Sequence, residues 1–165
     1  MYSSKTVTMA ILGFALTGGL LIGPTLSAAG RPCDPVSGFS ETAVEEENGP
    51  FVGFATLEIR GEEFEFSLEV FILGPPVEGE DGTLHLPTSH VFTLDDKSES
   101  SFTTMDKAVA DPIEGSPGLY TLNSNMKITS GTGIFDGARG RLHAHGELDL
   151  VFGTASLDYH GVICD

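Results

Sequence analysis

The 165-residue chain contains no tryptophan, two cysteines, and 8 lysines and arginines against 24 aspartates and glutamates. The shortage of cations excludes the most. At a net charge of −16, a fold repels phosphate backbones and anionic lipid headgroups unless its basic residues gather in one patch, and here they are scattered along the chain. Nucleic acid and anionic membrane surfaces are therefore excluded as partners. Charged residues make up only 19% of the chain and hydrophobic ones 40%. The acidity thus reflects missing Lys and Arg rather than charge saturation, which argues against intrinsic disorder. The motifs of several enzyme classes are also missing: there is no GxSxG elbow, no HExxH and no cysteine beside a histidine. Adjacent carboxylates such as Glu62-Glu63 and Asp95-Asp96 fall in predicted turns, where water solvates them. No cofactor is called for, and past the amino terminus no long segment has helical periodicity.

What is present begins with an address. Met1 to Ala29 has a short polar start with one cation, Lys5, an apolar run from Met9 to Ile22, then Gly23-Pro24 and the small residues Ser27-Ala28-Ala29. This is the layout of a cleaved secretory signal peptide, and it implies a secreted or periplasmic protein. An uncleaved anchor helix is the alternative, and Pro24 and the small residues weigh against it. In an oxidising compartment Cys33, close to the new amino terminus, and Cys164, the penultimate residue, are expected to form one disulfide across nearly the whole domain. In the chain-entropy model a loop that long is worth about 5 kcal/mol.

The rest divides into an extended lead-in over 30–50 and a single domain over 51–165. The lead-in holds Pro32, Pro35, Pro50 and the acidic run Glu45-Glu46-Glu47, with little periodicity. From Phe51 onward apolar and polar residues alternate. The clearest stretch sets Phe64, Phe66, Leu68, Val70 and Ile72 on one face and Glu63, Glu65, Ser67 and Glu69 on the other, a pattern that a strand separates and a helix scatters. Gly74-Pro75-Pro76, Glu80-Asp81-Gly82 and Asp95-Asp96-Lys97 supply breaks. Further strands are expected over Thr83 to Leu94, Ser100 to Val109, Leu119 to Ile128, Arg141 to Val151 and Thr154 to Ile163. Without helices between them, these strands predict an all-β antiparallel barrel or sandwich. An eight-stranded barrel is the better expectation, because closure removes exposed edges.

One segment is more specific. Gly131-Thr132-Gly133-Ile134-Phe135-Asp136-Gly137-Ala138-Arg139-Gly140 stands between two strands. Its glycines suit a backbone that bends tightly through positive φ, Phe135 can plug a barrel end, and Ala138 permits close packing. No helix or P-loop lysine follows, so the segment does not read as a phosphate cradle. The string resembles the GTGxFxxAxG motif of dirigent proteins and the related turn of allene oxide cyclases, which share one barrel superfamily of calycin-like shape. The resemblance implies an eight-stranded antiparallel barrel with an apolar interior, closest to small secreted bacterial members. It implies structural roles for Gly131, Thr132, Gly133, Phe135, Gly137, Ala138 and Gly140, and it carries no catalytic residue over.

Histidines are the remaining candidates for chemistry. His143, His145, Glu147 and Asp149 alternate along one predicted strand, and Ser156, Asp158 and His160 share a face of the next. A two-residue turn at Phe152-Gly153 would place His145 opposite His160, and a shift by one residue would place Glu147 there. Either register would gather imidazoles and carboxylates, ligands suited to zinc, copper or nickel, with His143, His145, Glu147 and His160 as the metal candidates. Leu142, Ala144, Leu148 and Leu150 form the opposite, apolar face, so this polar face is expected to look outward to solvent. His85 and His90 read as ordinary strand residues. Interior polar candidates are Tyr120, Thr121 and Asn123.

Together these features predict a secreted barrel that binds a small hydrophobic molecule without covalent chemistry of its own. A cyclase or isomerase of the allene oxide cyclase or dirigent type would need at least two polar side chains inside the cavity. A structural or interaction protein of the cell envelope would instead have a filled interior.

Overall fold

The computed structural model describes residues 33–46, 49–96 and 98–164. The signal-peptide reading of 1–29 lies outside them. Among the described residues the elements are β1 (Cys33–Val44), β2 (Phe51–Ile59), β3 (Glu62–Ile72), β4 (Val77–Glu78), β5 (Leu84–Leu94), β6 (Ser101–Pro112), β7 (Leu119–Thr132), a 3₁₀ turn (Gly133–Phe135), β8 (Arg139–Asp149) and β9 (Thr154–Cys164). All pairings are antiparallel, in the order β3-β2-β1-β9-β8-β7-β6-β5, and a β3–β5 pairing closes the ring into an eight-stranded barrel. The two-residue β4 adds to the outer end of β5. Closure gives each of the eight barrel strands a neighbour on both sides, which the alternation alone could only make plausible.

The segment expected to be a lead-in is corrected. β1 is a full barrel strand, paired along its length with β2 on one side and β9 on the other. Its inward positions are Val36, Gly38, Ser40 and Thr42, so it lacks the apolar alternation by which strands are usually recognised. A side chain at Gly38 would lie 2.0 Å from the Thr56 carbonyl oxygen of β2, so only glycine lets the strands coil this tightly here. Cys33 and Cys164 are directly opposed in the β1–β9 register and form the expected disulfide.

Strand polarity gives the barrel two unlike ends. At one end lie the disulfide, the β2–β3 turn, the β5–β6 loop and the 131–140 segment. Here the interior is solid. Phe66, Phe92, Phe102 and Phe135 pack ring against ring, with centroids 4.5 Å apart for Phe92–Phe102 and 5.3 Å for Phe102–Phe135. The 131–140 segment delivers Phe135 into that cluster through a turn with Gly133 at φ +59° and Gly137 at φ +79°, angles that favour glycine. A side chain at Gly133 would also strike Ser100. The other end, bounded by the β1–β2, β3–β5, β6–β7 and β8–β9 connections, is hollow.

Candidate functional site

The hollow end is a cavity of about 140 Å³ inside the barrel. Its upper wall is apolar: Phe51, Val70, Leu86, Leu122, Leu148 and Leu157 all line it. Two lining residues at the mouth, Ile72 and Leu150, are each 48% exposed, so the cavity reaches the surface there. Leu73 and Val77 add exposed apolar surface at the same end. Ala108 and Ala155 also line the space, and their small side chains help to leave it open.

Towards the middle of the barrel Ser40, Thr88, His90, Ser124 and Tyr159 join the lining, and Asp106 is bonded to His90 without lining the space itself. His90 and Asp106, 3% and 6% exposed, are joined by a 2.6 Å hydrogen bond between His90 Nδ1 and Asp106 Oδ2. Thr88 Oγ1 donates to the same carboxylate oxygen at 3.3 Å. Tyr159 and Ser40 share a buried hydrogen bond of 2.9 Å. The Tyr159 ring stands edge-to-face to His90, centroids 6.4 Å apart, so the two pairs are contiguous. Burial pushes the Tyr159 phenol well above the usual tyrosine range; the Ser40 hydrogen bond works the other way, and the Asp106 charge adds to the rise. The phenol is thereby held in its protonated form.

Three buried polar atoms in this region find no hydrogen-bond partner among the described residues: His90 Nε2, Asp106 Oδ1 and Ser124 Oγ. An unmet buried polar group costs about 1–3 kcal/mol. Such atoms are rare in folded proteins, where strain, catalysis, an ordered water or an ion accounts for them. His90 and Ser124 both belong to the cavity lining.

The backbone is irregular at the same level. β6 and β7 shift register between Thr103 and Thr104, which leaves Thr129 bulged. On the other side of β6, the Ser89 hydroxyl donates to the Thr104 carbonyl at 2.8 Å and the Thr104 hydroxyl accepts from the His90 amide at 3.3 Å. Side chains thus replace ladder bonds beside the His90–Asp106 pair. Bulges of this kind re-aim side chains next to functional sites.

The histidines singled out in the sequence lie elsewhere. The β8–β9 turn spans four residues, Leu150 to Gly153, and not two. Asp149 Oδ1 accepts from the Val151 and Phe152 amides at 2.8 and 3.0 Å and caps that turn, and Gly153 leaves it at φ +65°. Both expected registers are therefore corrected. His143 faces His160, with rings stacked 5.3 Å apart, His145 faces Asp158, and Glu147 faces Ser156. All four metal candidates are on the outer surface, where His145 Nδ1 bonds to Asn123 Oδ1 at 2.9 Å. Among the described residues no three His, Cys, Asp or Glu side chains are placed to hold a metal ion. Of the interior polar candidates, Tyr120 packs against the core, whereas Asn123 is exposed.

His90, Asp106, Ser124, Ser40 and Tyr159 were not recognised as a group. Their signal was parity. His90 alternates in phase with Leu86, Thr88, Phe92 and Leu94, and Asp106 with Phe102, Thr104 and Ala108, so each is a polar residue on a buried face.

No family model matches the chain, and neither a curated protein nor a solved structure matches it.

Proposed function

We propose that the protein is a secreted or periplasmic barrel that binds a small apolar molecule in its hollow half. The observation that carries this reading is the unfilled interior. Protein cores are close-packed, and the disulfide end of this barrel shows that the fold can be filled with phenylalanine. An apolar cavity that opens at one end of the same barrel has the character of a ligand site. Its volume suits a molecule about the size of benzene, with room for a substituent to project from the mouth. The resemblance of 131–140 to the dirigent and allene oxide cyclase turn supports the same reading, and the Cys33–Cys164 disulfide supports an oxidising compartment.

A cyclase or isomerase is the second reading, favoured by one observation: the cavity is lined by His90, Ser124 and the Tyr159–Ser40 pair as well as by apolar residues. A purely structural role is the weaker alternative, because it gives no reason for a hollow interior. Toluene is a suitable probe of binding. Titration should shift the methyl NMR signals of Leu122, Leu148 and Leu157 saturably, and Ala108→Phe, which puts a ring into the space, should abolish the shifts. Toluene that does not bind, or that binds Ala108→Phe equally well, would remove the proposal.

A further inference from the structure

We propose that His90 is a general base that moves a proton on a small enolisable ketone bound in the cavity, with Asp106 as its positioning residue and Ser124 as the hydrogen-bond donor to the ketone oxygen. This rests on the binding reading above. The His90–Asp106 bond uses Nδ1 as the donor to a carboxylate, so in the neutral ring the lone pair belongs to Nε2. Among the described residues Nε2 has no partner, and neither has the Ser124 hydroxyl. One unmatched acceptor and one unmatched donor, on side chains lining the same apolar space, complement a C–H acid next to a carbonyl.

A role confined to stability does not account for this arrangement. Burying a carboxylate against a histidine is costly, and apolar replacements of similar volume are often neutral or stabilising. The inward positions two residues before Asp106 and two after His90 are Thr104 and Phe92, both fully buried without a charge.

The step balances without a cofactor. His90 Nε2 takes the proton from the carbon between the carbonyl and a β,γ double bond. The C–H electron pair becomes a new C=C bond, and the carbonyl π pair moves to oxygen, where the Ser124 hydroxyl donates to it. Asp106 holds the imidazolium that forms. Nε2 then returns the proton to the γ carbon, the electrons flow back from oxygen, and the conjugated ketone leaves. The net reaction is an isomerisation, and the cavity volume limits it to single rings or short chains.

The test uses the purified protein with two probes: cyclohexanone for binding, by calorimetry, and the β,γ-unsaturated isomer of cyclohexenone for turnover, by the ultraviolet absorbance of the conjugated product. The wild type should bind the first and isomerise the second. His90→Gln, whose amide can still donate to Asp106, should retain binding and lose about 100-fold or more in rate, the usual contribution of a general base. Ser124→Ala should lower kcat with little change in KM. Asp106→Asn should slow turnover and also change the His90 nitrogen NMR signals, because Nδ1 loses its carboxylate partner; a merely structural residue would not set that tautomer. If cyclohexanone binds but wild type and His90→Gln isomerise at the same rate, the proposal fails and the binding reading stands. If neither cyclohexanone nor toluene binds, both fail. A wild type that binds but does not accelerate the reaction overturns the proposal whether or not any variant folds.

Discussion

The same eight strands build two unlike halves of one barrel. In the disulfide half, inward positions carry Phe66, Phe92 and Phe102, and the 131–140 turn adds Phe135, so the rings fill the bore. In the mouth half, the same faces carry Ala108, Ala155, Ser40, Thr42 and Ser124, and the bore stays open. His90 and Phe92, two residues apart on β5 and with stacked rings 6.0 Å apart, mark the boundary. The difference separates the residues that hold the barrel together from those that leave it able to receive something. One end is packed with rings and the other holds the cavity.

The largest effect that can sharpen this contrast is truncation in the packed half. Phe66→Ala should cost about 3–5 kcal/mol in urea unfolding, because the rings around it cannot collapse into the gap. Leu157→Ala, in the hollow half, should cost about 2 kcal/mol, since it enlarges a space already present. Equal costs would break the distinction. A second comparison concerns the polar boundary. His90→Leu alone leaves the Asp106 carboxylate buried without its ring partner and should cost about 3–5 kcal/mol, whereas His90→Leu with Asp106→Leu should match or exceed the wild type. A double variant as unstable as the single one would show that the pair is structural.

Much of this plan was legible in the sequence, and the parts that were not have physical reasons. The alternation from Phe64 to Ile72 announced β3 because one face is apolar throughout. β1 stayed hidden because its inward residues after Val36 are glycine, serine and threonine, which the tight coil at Gly38 and the Tyr159 hydrogen bond favour over apolar side chains. The β8–β9 register was misread because Asp149 caps a four-residue turn, and its side-chain bonds to Val151 and Phe152 leave no trace in a hydrophobic pattern. The outer histidines drew attention by clustering along one strand. His90 and Asp106 come from different strands and meet only once β5 and β6 are paired. A charged residue in phase with a buried face was the sign to follow.

Smaller effects test each half by filling it. Ala155→Leu should enter the open space, leave stability unchanged or raise it by about 0.5–2 kcal/mol, and weaken toluene binding. Ala138→Leu, in the plug, should cost about 1–3 kcal/mol by overpacking. The smallest concerns pH. The folded pKa of Tyr159 lies above its unfolded value, so its contribution to stability is complete below about pH 10 and is lost as pH rises through the raised folded value. Alkaline titration by ultraviolet absorbance should therefore show one phenol that ionises late, together with unfolding, and Tyr159→Phe should remove that phase. Full ionisation in a still-native barrel would contradict the burial of Tyr159.

Xenon addresses the contrast between the halves most directly, because it binds apolar voids without needing any polar partner. In a crystal under xenon pressure, the atoms should lie among Leu122, Leu148 and Leu157 in the mouth half, with none among Phe66, Phe102 and Phe135. Xenon in the packed half, or none inside the barrel, would contradict the division into a solid end and a receptive one.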